Sequence, residues 1–382
     1  MADTVLMTTS VAGSTLRELD TLSRGGYGFE EFTLQAADVL RRAVPFDGLC
    51  VGMIDPSTNL LARSIKFDLG EVSDGNFLYW EYAEEDVAHF RELATRPVGV
   101  SVLDQETGGD KNVSGRFREV ISAEIGAEHE LRGVTRVGGL MWGTYAMYRA
   151  PGSSAFNVAE ADFLQRLETT LAAGIRASTI VASAAEAMHD SASGPAVLVF
   201  SPSGALVHAT STAAERLDDL GGGLEGELPV PVTAIVAAVR GARAVGADGA
   251  SGTGPAAAEP VAAAQIRARG LSGRWYSLHA APFAMGDGDR PQIAVTVESA
   301  TPPQILPLLT AAYGLTEREA TIVQAMLRGE STHAIGQSLF LSPYTVQDHF
   351  KSIFEKIGVS SRREVATRVF YGQYLNAPVP GS

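Results

Sequence analysis

Apolar positions in the first half of the chain alternate between helical spacing and short, nearly continuous runs. The helical stretches place an apolar residue every three or four positions, which predicts amphipathic helices. The short runs come in pairs joined by polar or glycine-containing turns, which predicts β-hairpins. Helices are predicted at 29–44, 75–94 and 158–182, and strands at 48–55, 60–67, 130–137 and 140–149. The order helix, hairpin, helix, hairpin, helix predicts an α+β domain over residues 1–182.

A second α+β domain is predicted at 190–300. Two short apolar runs around the turn 202–204 predict an opening hairpin, and a short helix is predicted at 210–220. The domain closes with two further predicted strands, at 274–283 and 291–299.

Two segments are predicted to lie outside regular structure. Residues 246–260 are rich in Gly and Ala and are typical of a loop. Residues 301–307 contain three prolines, which predicts that no helix forms there. We therefore interpret 301–314 as a linker between the second domain and the rest of the chain.

Capping signals in residues 315–375 predict four short helices. Two of the signals are capping boxes, one is a serine followed by proline, and one is a lone serine. The starts are Thr316 with Glu319, Ser331, Ser342 with Pro343, and Ser361 with Glu364. Only about three residues join the second helix to the third, which is the geometry of a helix-turn-helix.

The third of these helices has one apolar and one polar face. Five apolar residues share one face at about 100° per residue, namely Val346, Phe350, Ile353, Phe354 and Ile357. The polar residues near the N-terminal end would face outward, as in a helix that enters the major groove of DNA. The candidate DNA-binding residues are Ser342, Tyr344, Thr345, Gln347, Asp348 and Lys351.

Charge is unevenly distributed along the chain. The formal net charge of −14 argues against a nucleic-acid partner for the chain as a whole. Residues 315–375, however, hold seven basic and six acidic residues, so the acidity belongs to the preceding part. A nearly neutral C-terminal domain permits DNA binding.

The sequence indicates a cytoplasmic protein without a membrane segment. Cys50 is the single cysteine, so no disulfide forms within the chain. Residues 1–13 lack the basic and apolar regions of a signal peptide. No apolar run reaches the roughly 18 residues that a membrane span needs.

The C-terminal residues resemble the LuxR/FixJ-type regulators. The shared motifs are L-T-x-R-E at 315–319, Gly329, L-S-x-x-T-V-x-x-H at 341–349 and K-I-G-V-x-S-R at 356–362. The resemblance implies binding to double-stranded DNA as a homodimer, with the third helix in the major groove and the fourth pairing the subunits. The chain departs from the family at Gln347, where a lysine is common, and at Ala334, where a glutamate is common.

The two preceding domains resemble sensor families. The stretch 142–167 resembles the last strand and final helix of a GAF domain. The hairpin and short helix of the second domain resemble a PAS domain, although Thr210 or Ser211 stands where that family often has asparagine. The predicted fold class is therefore multi-domain: two α+β sensor domains, GAF-like and PAS-like, followed by an all-α four-helix helix-turn-helix domain.

Several residues have a structural and a functional interpretation. Asp348 can pair with Lys351 one turn away or accept a hydrogen bond from cytosine, and the pair is favoured. Cys50 is interpreted as a buried, inert thiol rather than a redox sensor. An aromatic set is interpreted as core, with the lining of a ligand pocket as the alternative. Its members are Phe77, Tyr79, Trp80 and Tyr82.

The predicted function is a transcription regulator that couples a signal sensed by the N-terminal domains to DNA binding. The signal is either a small molecule or a protein partner. No catalytic motif, metal-ligand spacing or cofactor motif stands out, so no enzyme activity, metal or cofactor is predicted. The alternatives are a scaffold or small-molecule-binding protein without DNA affinity, and an unrecognised enzyme in residues 1–300.

Overall fold

Two five-stranded antiparallel sheets organise the N-terminal part of this computed structural model, which describes residues 9–70, 72–181, 194–248, 264–283 and 291–371. The first module, residues 9–181, contains one sheet with the strand order β2-β1-β5-β4-β3. Its strands are β1 (Gly48–Asp55), β2 (Leu60–Phe67), β3 (Val100–Val102), β4 (His129–Val137) and β5 (Leu140–Arg149).

Helices cover this sheet, so that β1, β4 and β5 are buried on both faces over much of their length. The long helix α6 packs on β4 and contacts α1 and α2. The helices are α1 (Thr9–Ser23), α2 (Phe29–Ala43), α3 (Asp74–Tyr82), α4 (Phe90–Leu93), α5 (Leu103–Glu106) and α6 (Val158–Ile180), with a 3₁₀ turn at Lys111–Val113 and a π-helical segment at Phe117–Ile125.

The second module, residues 194–299, repeats the topology of the first. Its sheet has the order β7-β6-β10-β9-β8. When the strands are numbered from one within each module, both sheets have the order 2-1-5-4-3. The elements are β6 (Ala196–Phe200), β7 (Leu206–Ala209), α7 (Ala213–Asp219), α8 (Val230–Asp248), β8 (Ala264–Arg269), β9 (Trp275–Phe283) and β10 (Gln292–Ser299). Helix α8 packs against α3 and β2, so the two modules share an interface.

The segment interpreted as a linker is helical. Helix α9 runs from Pro302 to Ala312, so the prediction that the prolines prevent a helix is wrong. Pro302 and Pro303 occupy the first turn, where backbone N–H groups have no partner within the helix. Pro307 removes one interior hydrogen bond, and the buried residues Ile305, Leu306, Leu308 and Leu309 offset that loss by packing.

The C-terminal domain, residues 314–371, consists of four short helices and a final turn. They are α10 (Glu317–Leu327), α11 (Thr332–Leu339), α12 (Pro343–Ile357) and α13 (Arg362–Ala366), followed by a π-helical turn at Thr367–Tyr371. Helix α9 contacts both α6 and α10, and its apolar residues join the same core cluster. The C-terminal domain is therefore packed onto the first module through α9.

The predicted fold class, two α+β regions followed by an all-α domain, is confirmed. The predicted helix at 75–94 is interrupted: α3 ends at Tyr82 and α4 begins at Phe90. The loop predicted at 246–260 lies almost entirely outside the described residues. Among the residues that the structure describes, no helix is both long and apolar enough to cross a membrane.

The first module also buries two arginine–glutamate pairs. Arg116 Nη2 lies 2.9 Å from Glu130 Oε2, and Arg132 Nη2 lies 2.7 Å from Glu81 Oε2. All four side chains are at most 1% exposed. The Arg132 guanidinium also lies 3.8 Å from the centre of the Phe90 ring. These charges lie inside the core and are not accessible to an outside partner.

Candidate nucleic-acid interface

Helix α12 is fixed at both ends by its own sequence. The Ser342 hydroxyl accepts a hydrogen bond from the Thr345 backbone N–H at 3.1 Å, and Pro343 fills the first helical position. The helix ends at Gly358, whose φ of 73° lies in the left-handed region that glycine adopts without strain. The capping prediction for this helix is therefore confirmed.

One face of α12 packs into the domain core. Val346, Phe350, Ile353 and Ile357 are buried, and Phe354 is half-buried. The Phe350 and Phe354 rings are stacked with centroids 6.1 Å apart. The Arg362 guanidinium lies 5.1 Å from the centre of the Phe350 ring, which ties the start of α13 to this face. The predicted apolar face is confirmed.

Glu319 of α10 holds α12 in place through hydrogen bonds. Its carboxylate accepts hydrogen bonds from Ser352 Oγ at 2.7 Å, from Lys356 Nζ at 2.6 Å and from the Thr316 backbone N–H at 2.7 Å. These contacts outweigh the cost of burial and lower the pKa of Glu319 to about 2. The sequence predicts the capping box of Glu319 with Thr316 but not its contacts with α12.

Two residues at the connection between α11 and α12 are constrained, one by a close backbone contact and one by its backbone angle. A Cβ atom on Gly336 would lie 2.8 Å from the Leu341 carbonyl oxygen, so this position favours glycine. Phe340 has a φ of 56°, and its side chain is 96% exposed. Phe340 caps the C-terminus of α11 and lies two residues before Ser342, the N-cap of α12. The sequence does not predict this residue as part of the site, because an apolar residue in a short turn gives no signal of its exposure.

The predicted site residues lie together on the outward side of α12 near its N-terminal end. All six are solvent-exposed, and Tyr344 is 85% exposed. They are Ser342, Tyr344, Thr345, Gln347, Asp348 and Lys351. The Lys351 ammonium lies 3.2 Å from Asp348 Oδ1, in the geometry predicted for a pair one turn apart. Both side chains of this pair are at least 74% exposed.

Of the aromatic set in the first module, Tyr82 belongs to the core, whereas Phe77, Tyr79 and Trp80 are half-buried and Tyr79 lines a cavity of about 340 Å³. Tyr82 is buried, and its hydroxyl accepts a hydrogen bond from the Leu61 N–H at 3.0 Å. Phe77 and Tyr82, with Cys50, line a cavity of about 10 Å³, which has room for no more than one water molecule. Burial raises the pKa of the Cys50 thiol to about 12, so the thiol stays protonated and unreactive at neutral pH.

Comparison with known proteins identifies the C-terminal domain. Residues 314–369 match the family described as bacterial regulatory proteins, luxR family. The transcriptional regulatory protein UhpA of Escherichia coli is 40% identical over 58 residues, which are 15% of this chain and 30% of UhpA. UhpA of Salmonella typhimurium matches equally well. The chain therefore spans less than a third of the length of these curated relatives.

Solved structures give only distant likenesses. The GAF domain of A. aeolicus nlh2 is 15% identical, with a TM-score of 0.26, over 44% of this chain and 96% of that one. Escherichia coli SdiA is 12% identical, with a TM-score of 0.28, over 94% of this chain and 95% of that one. Likenesses at this level carry no weight for the function of this chain. The family match covers residues 314–369, so the four helices of the C-terminal domain match the luxR family of bacterial regulatory proteins.

Proposed function

We propose that this chain is a cytoplasmic transcription regulator that binds double-stranded DNA through α12. The observation that carries the proposal is the exposed polar face at the N-terminal end of α12. The other face of this helix packs into the domain core and bonds to Glu319 of α10. Because a recognition helix presents its N-terminal residues to base edges, the exposed face has the required position. The buried face and the Glu319 anchor hold it rigidly.

The side chains on this face suit specific contacts with DNA. The Gln347 amide can make a bidentate contact with adenine, and the Asp348 carboxylate can accept from the amino group of cytosine. Lys351 can reach a phosphate or a guanine edge. Ser342 and Thr345 are exposed at the start of the helix, where their hydroxyls can donate to backbone phosphates, and Tyr344 offers a ring and a hydroxyl.

The pair between Lys351 and Asp348 does not oppose this role. An ion pair that is exposed on both sides contributes about 0–1 kcal/mol. Opening it to give Lys351 a phosphate and Asp348 a base therefore costs little.

The remaining parts of the proposal concern assembly and sensing. We propose a homodimer, in which two copies of α12 meet two half-sites of an operator. We also propose that residues 1–182 and 190–300 are GAF-like and PAS-like sensor domains that receive the signal, and that residues 315–375 bind DNA. Residues 301–314 then act as a helical connection rather than as a loose linker, because α9 occupies most of them.

Selection of bound sequences from random DNA with the full chain tests the proposal. We expect one enriched sequence with two related half-sites, bound more tightly than unrelated DNA by about 10³-fold or more. Gln347→Ala should relax the preference at one base position in each half-site. A chain that enriches no sequence above unrelated DNA would show that the domain keeps the family fold without the function. Light scattering of the free and DNA-bound chain tests the dimer.

A further inference from the structure

A cavity of about 560 Å³ lies at the junction of the two modules and α9. We call it the junction cavity. Residues of α2, β1, β2 and the C-terminal end of α6 line it on one side, and residues of β8, β9 and α9 on the other. Its volume lies in the range of small-molecule sites, roughly 300–1,000 Å³. The 10 Å³ cavity inside the first module is far too small for such a ligand.

The walls of the junction cavity are largely apolar. Trp275 and Leu308 are each only 4% exposed, yet both face the cavity. The apolar lining includes Phe29, Met53, Ile54, Ala62, Trp275 and Leu308. An apolar ligand body would gain contact with these side chains.

Two of the three arginines that line the cavity have carboxylate partners. Arg267 donates to Asp55 through Nη2 at 2.6 Å and through Nε at 2.9 Å, in a pair that is nearly fully buried. Arg63 Nη2 lies 3.3 Å from Glu30 Oε2. Glu31, which follows Glu30 on α2 and also lines the cavity, is exposed to solvent.

Arg269 differs from both. It donates to two carbonyl oxygens, to Gly273 through Nε at 3.0 Å and to Val181 through Nη1 at 2.5 Å. Within the described ranges no carboxylate lies within 4.0 Å of it. The guanidinium lies 5.8 Å from the centre of the Trp275 ring. A half-buried cation with only neutral partners, beside an apolar wall, is poised to pair with an anion.

We propose that the junction cavity binds an amphipathic small molecule with an apolar body and a carboxylate head. The body lies between the Phe29 and Trp275 sides of the cavity, and the head pairs with the guanidinium of Arg269. The charge of Arg269 selects an anionic head over a neutral or cationic one.

The junction cavity is also placed to influence the C-terminal domain. Leu308 of α9 forms part of its wall, and Arg267 Nη1 donates to the Gln304 carbonyl of α9 at 3.2 Å. Helix α9 also contacts α10. Occupation of the cavity therefore changes the packing of the helix on which the C-terminal domain rests. The consequence for DNA affinity rests on the proposed DNA-binding function, whereas the binding site itself does not.

Calorimetric titration of the full chain with three ligands that share a ten-carbon chain tests the site. These are decanoate, decanol and decyltrimethylammonium. We expect decanoate to bind most tightly, and Arg269→Gln to weaken decanoate by about tenfold or more without weakening decanol. Arg63→Gln is the matched control, because Arg63 lines the same cavity but already has Glu30. It should change decanoate affinity by less than about threefold.

Two further variants locate the ligand. In the parent, decanoate bound beside Trp275 should change the tryptophan fluorescence. Trp275→Phe keeps an aromatic wall, so decanoate should still bind in the calorimeter, but that fluorescence change should be lost. Ala62→Phe places a ring in the cavity and should block binding. Absence of binding by all three ligands, preference for the cation, or equal decanoate affinity of the parent and Arg269→Gln would overturn the proposal. These titrations contain no DNA, so they succeed or fail independently of the proposed DNA binding.

The coupling to DNA has its own readout. Saturating decanoate should change the affinity of the parent for its selected DNA and leave that of Arg269→Gln unchanged. An equal change in both proteins would contradict a route through this cavity. Loss of DNA binding with and without decanoate would instead count against the proposed function.

Discussion

The first module and the C-terminal domain use charged side chains in opposite ways. In the first module, Arg132 and Glu81 pair within the core and are each 1% exposed. In the C-terminal domain, Lys351 and Asp348 pair on the surface and are 80% and 74% exposed. A buried pair cannot change partners without disrupting the core, whereas an exposed pair opens at little cost. Only the second arrangement suits recognition of an outside molecule.

This contrast shows that the position of charge matters more than its amount. The chain is acidic overall, with a net charge of −14, and the acidity does not lie in the C-terminal domain. On α12, Lys356 pairs with the buried Glu319, whereas Lys351 and Asp348 are exposed to solvent. The same residue types therefore stabilise one region and are available for binding in another.

The largest effect is expected where the buried pair is broken. Arg132→Met leaves the Glu81 carboxylate without its ionic partner and removes the contact of the guanidinium with Phe90. We expect a loss at the upper end of about 3–5 kcal/mol in the free energy of unfolding, measured by urea denaturation. Arg24→Met, which breaks an exposed pair with Asp20, should change it by less than about 0.5 kcal/mol. Similar losses in both variants would show that burial does not distinguish the pairs.

A comparable effect is expected in the core of the C-terminal domain. Phe350→Ala removes a buried ring that stacks on Phe354 and lies beneath Arg362. The expected cost is about 3–5 kcal/mol, concentrated in the C-terminal domain. Hydrogen exchange followed by mass spectrometry should show faster exchange in α10 to α13 and unchanged exchange in β4 and β5. Unchanged protection of α12 would mean that Phe350 is not part of its packed face.

A smaller, pH-dependent effect is expected at Glu319. Its pKa in the folded chain is about 2, below the usual value near 4.5. Because the folded pKa is lowered, the contribution to stability is fully present above about pH 4.5 and is lost as pH falls towards 2. We expect a contribution on the order of 2 kcal/mol. Urea midpoints of the parent and Glu319→Gln should differ at pH 7 and converge near pH 2.

Glu355→Gln provides the control for this measurement, because Glu355 lies on α12 but is exposed. Its urea midpoint should follow that of the parent at every pH. A difference between the parent and Glu319→Gln that persists unchanged at pH 2 would show that the Glu319 charge is not the source of the stability.

The sequence predicts local structure best where it contains specific terminators. The caps Ser342 and Gly358 set the ends of α12, and two short apolar runs on either side of a polar turn set β1 and β2 at their observed bounds. The prolines of α9 misled the prediction. Two of them occupy a helix N-terminus, where proline is tolerated, and packing on α6 and α10 stabilises a helix that local preference disfavours.

What the sequence could not predict depends on distant contacts. The capping signal identifies Glu319, but its contacts with Ser352 and Lys356 join residues more than thirty positions apart. The junction cavity combines α2 with β8, more than 200 residues along the chain, so no local pattern reports it. The six predicted site residues share one helix end, and for that reason a periodic pattern was sufficient to group them.

The central claim is that α12 recognises DNA, and Lys351→Ala tests it most directly. Stability should change by less than about 0.5 kcal/mol, because the pair with Asp348 is exposed. The affinity of the full chain for its selected sequence and for unrelated DNA is then measured by fluorescence anisotropy at two salt concentrations. If Lys351 contacts a phosphate, affinity should fall on both DNAs and the salt slope should decrease by about one unit. If it contacts a base, affinity should fall by about 1–3 kcal/mol on the selected sequence alone. Binding as tight as that of the parent at both salt concentrations would show that α12 is not the recognition helix.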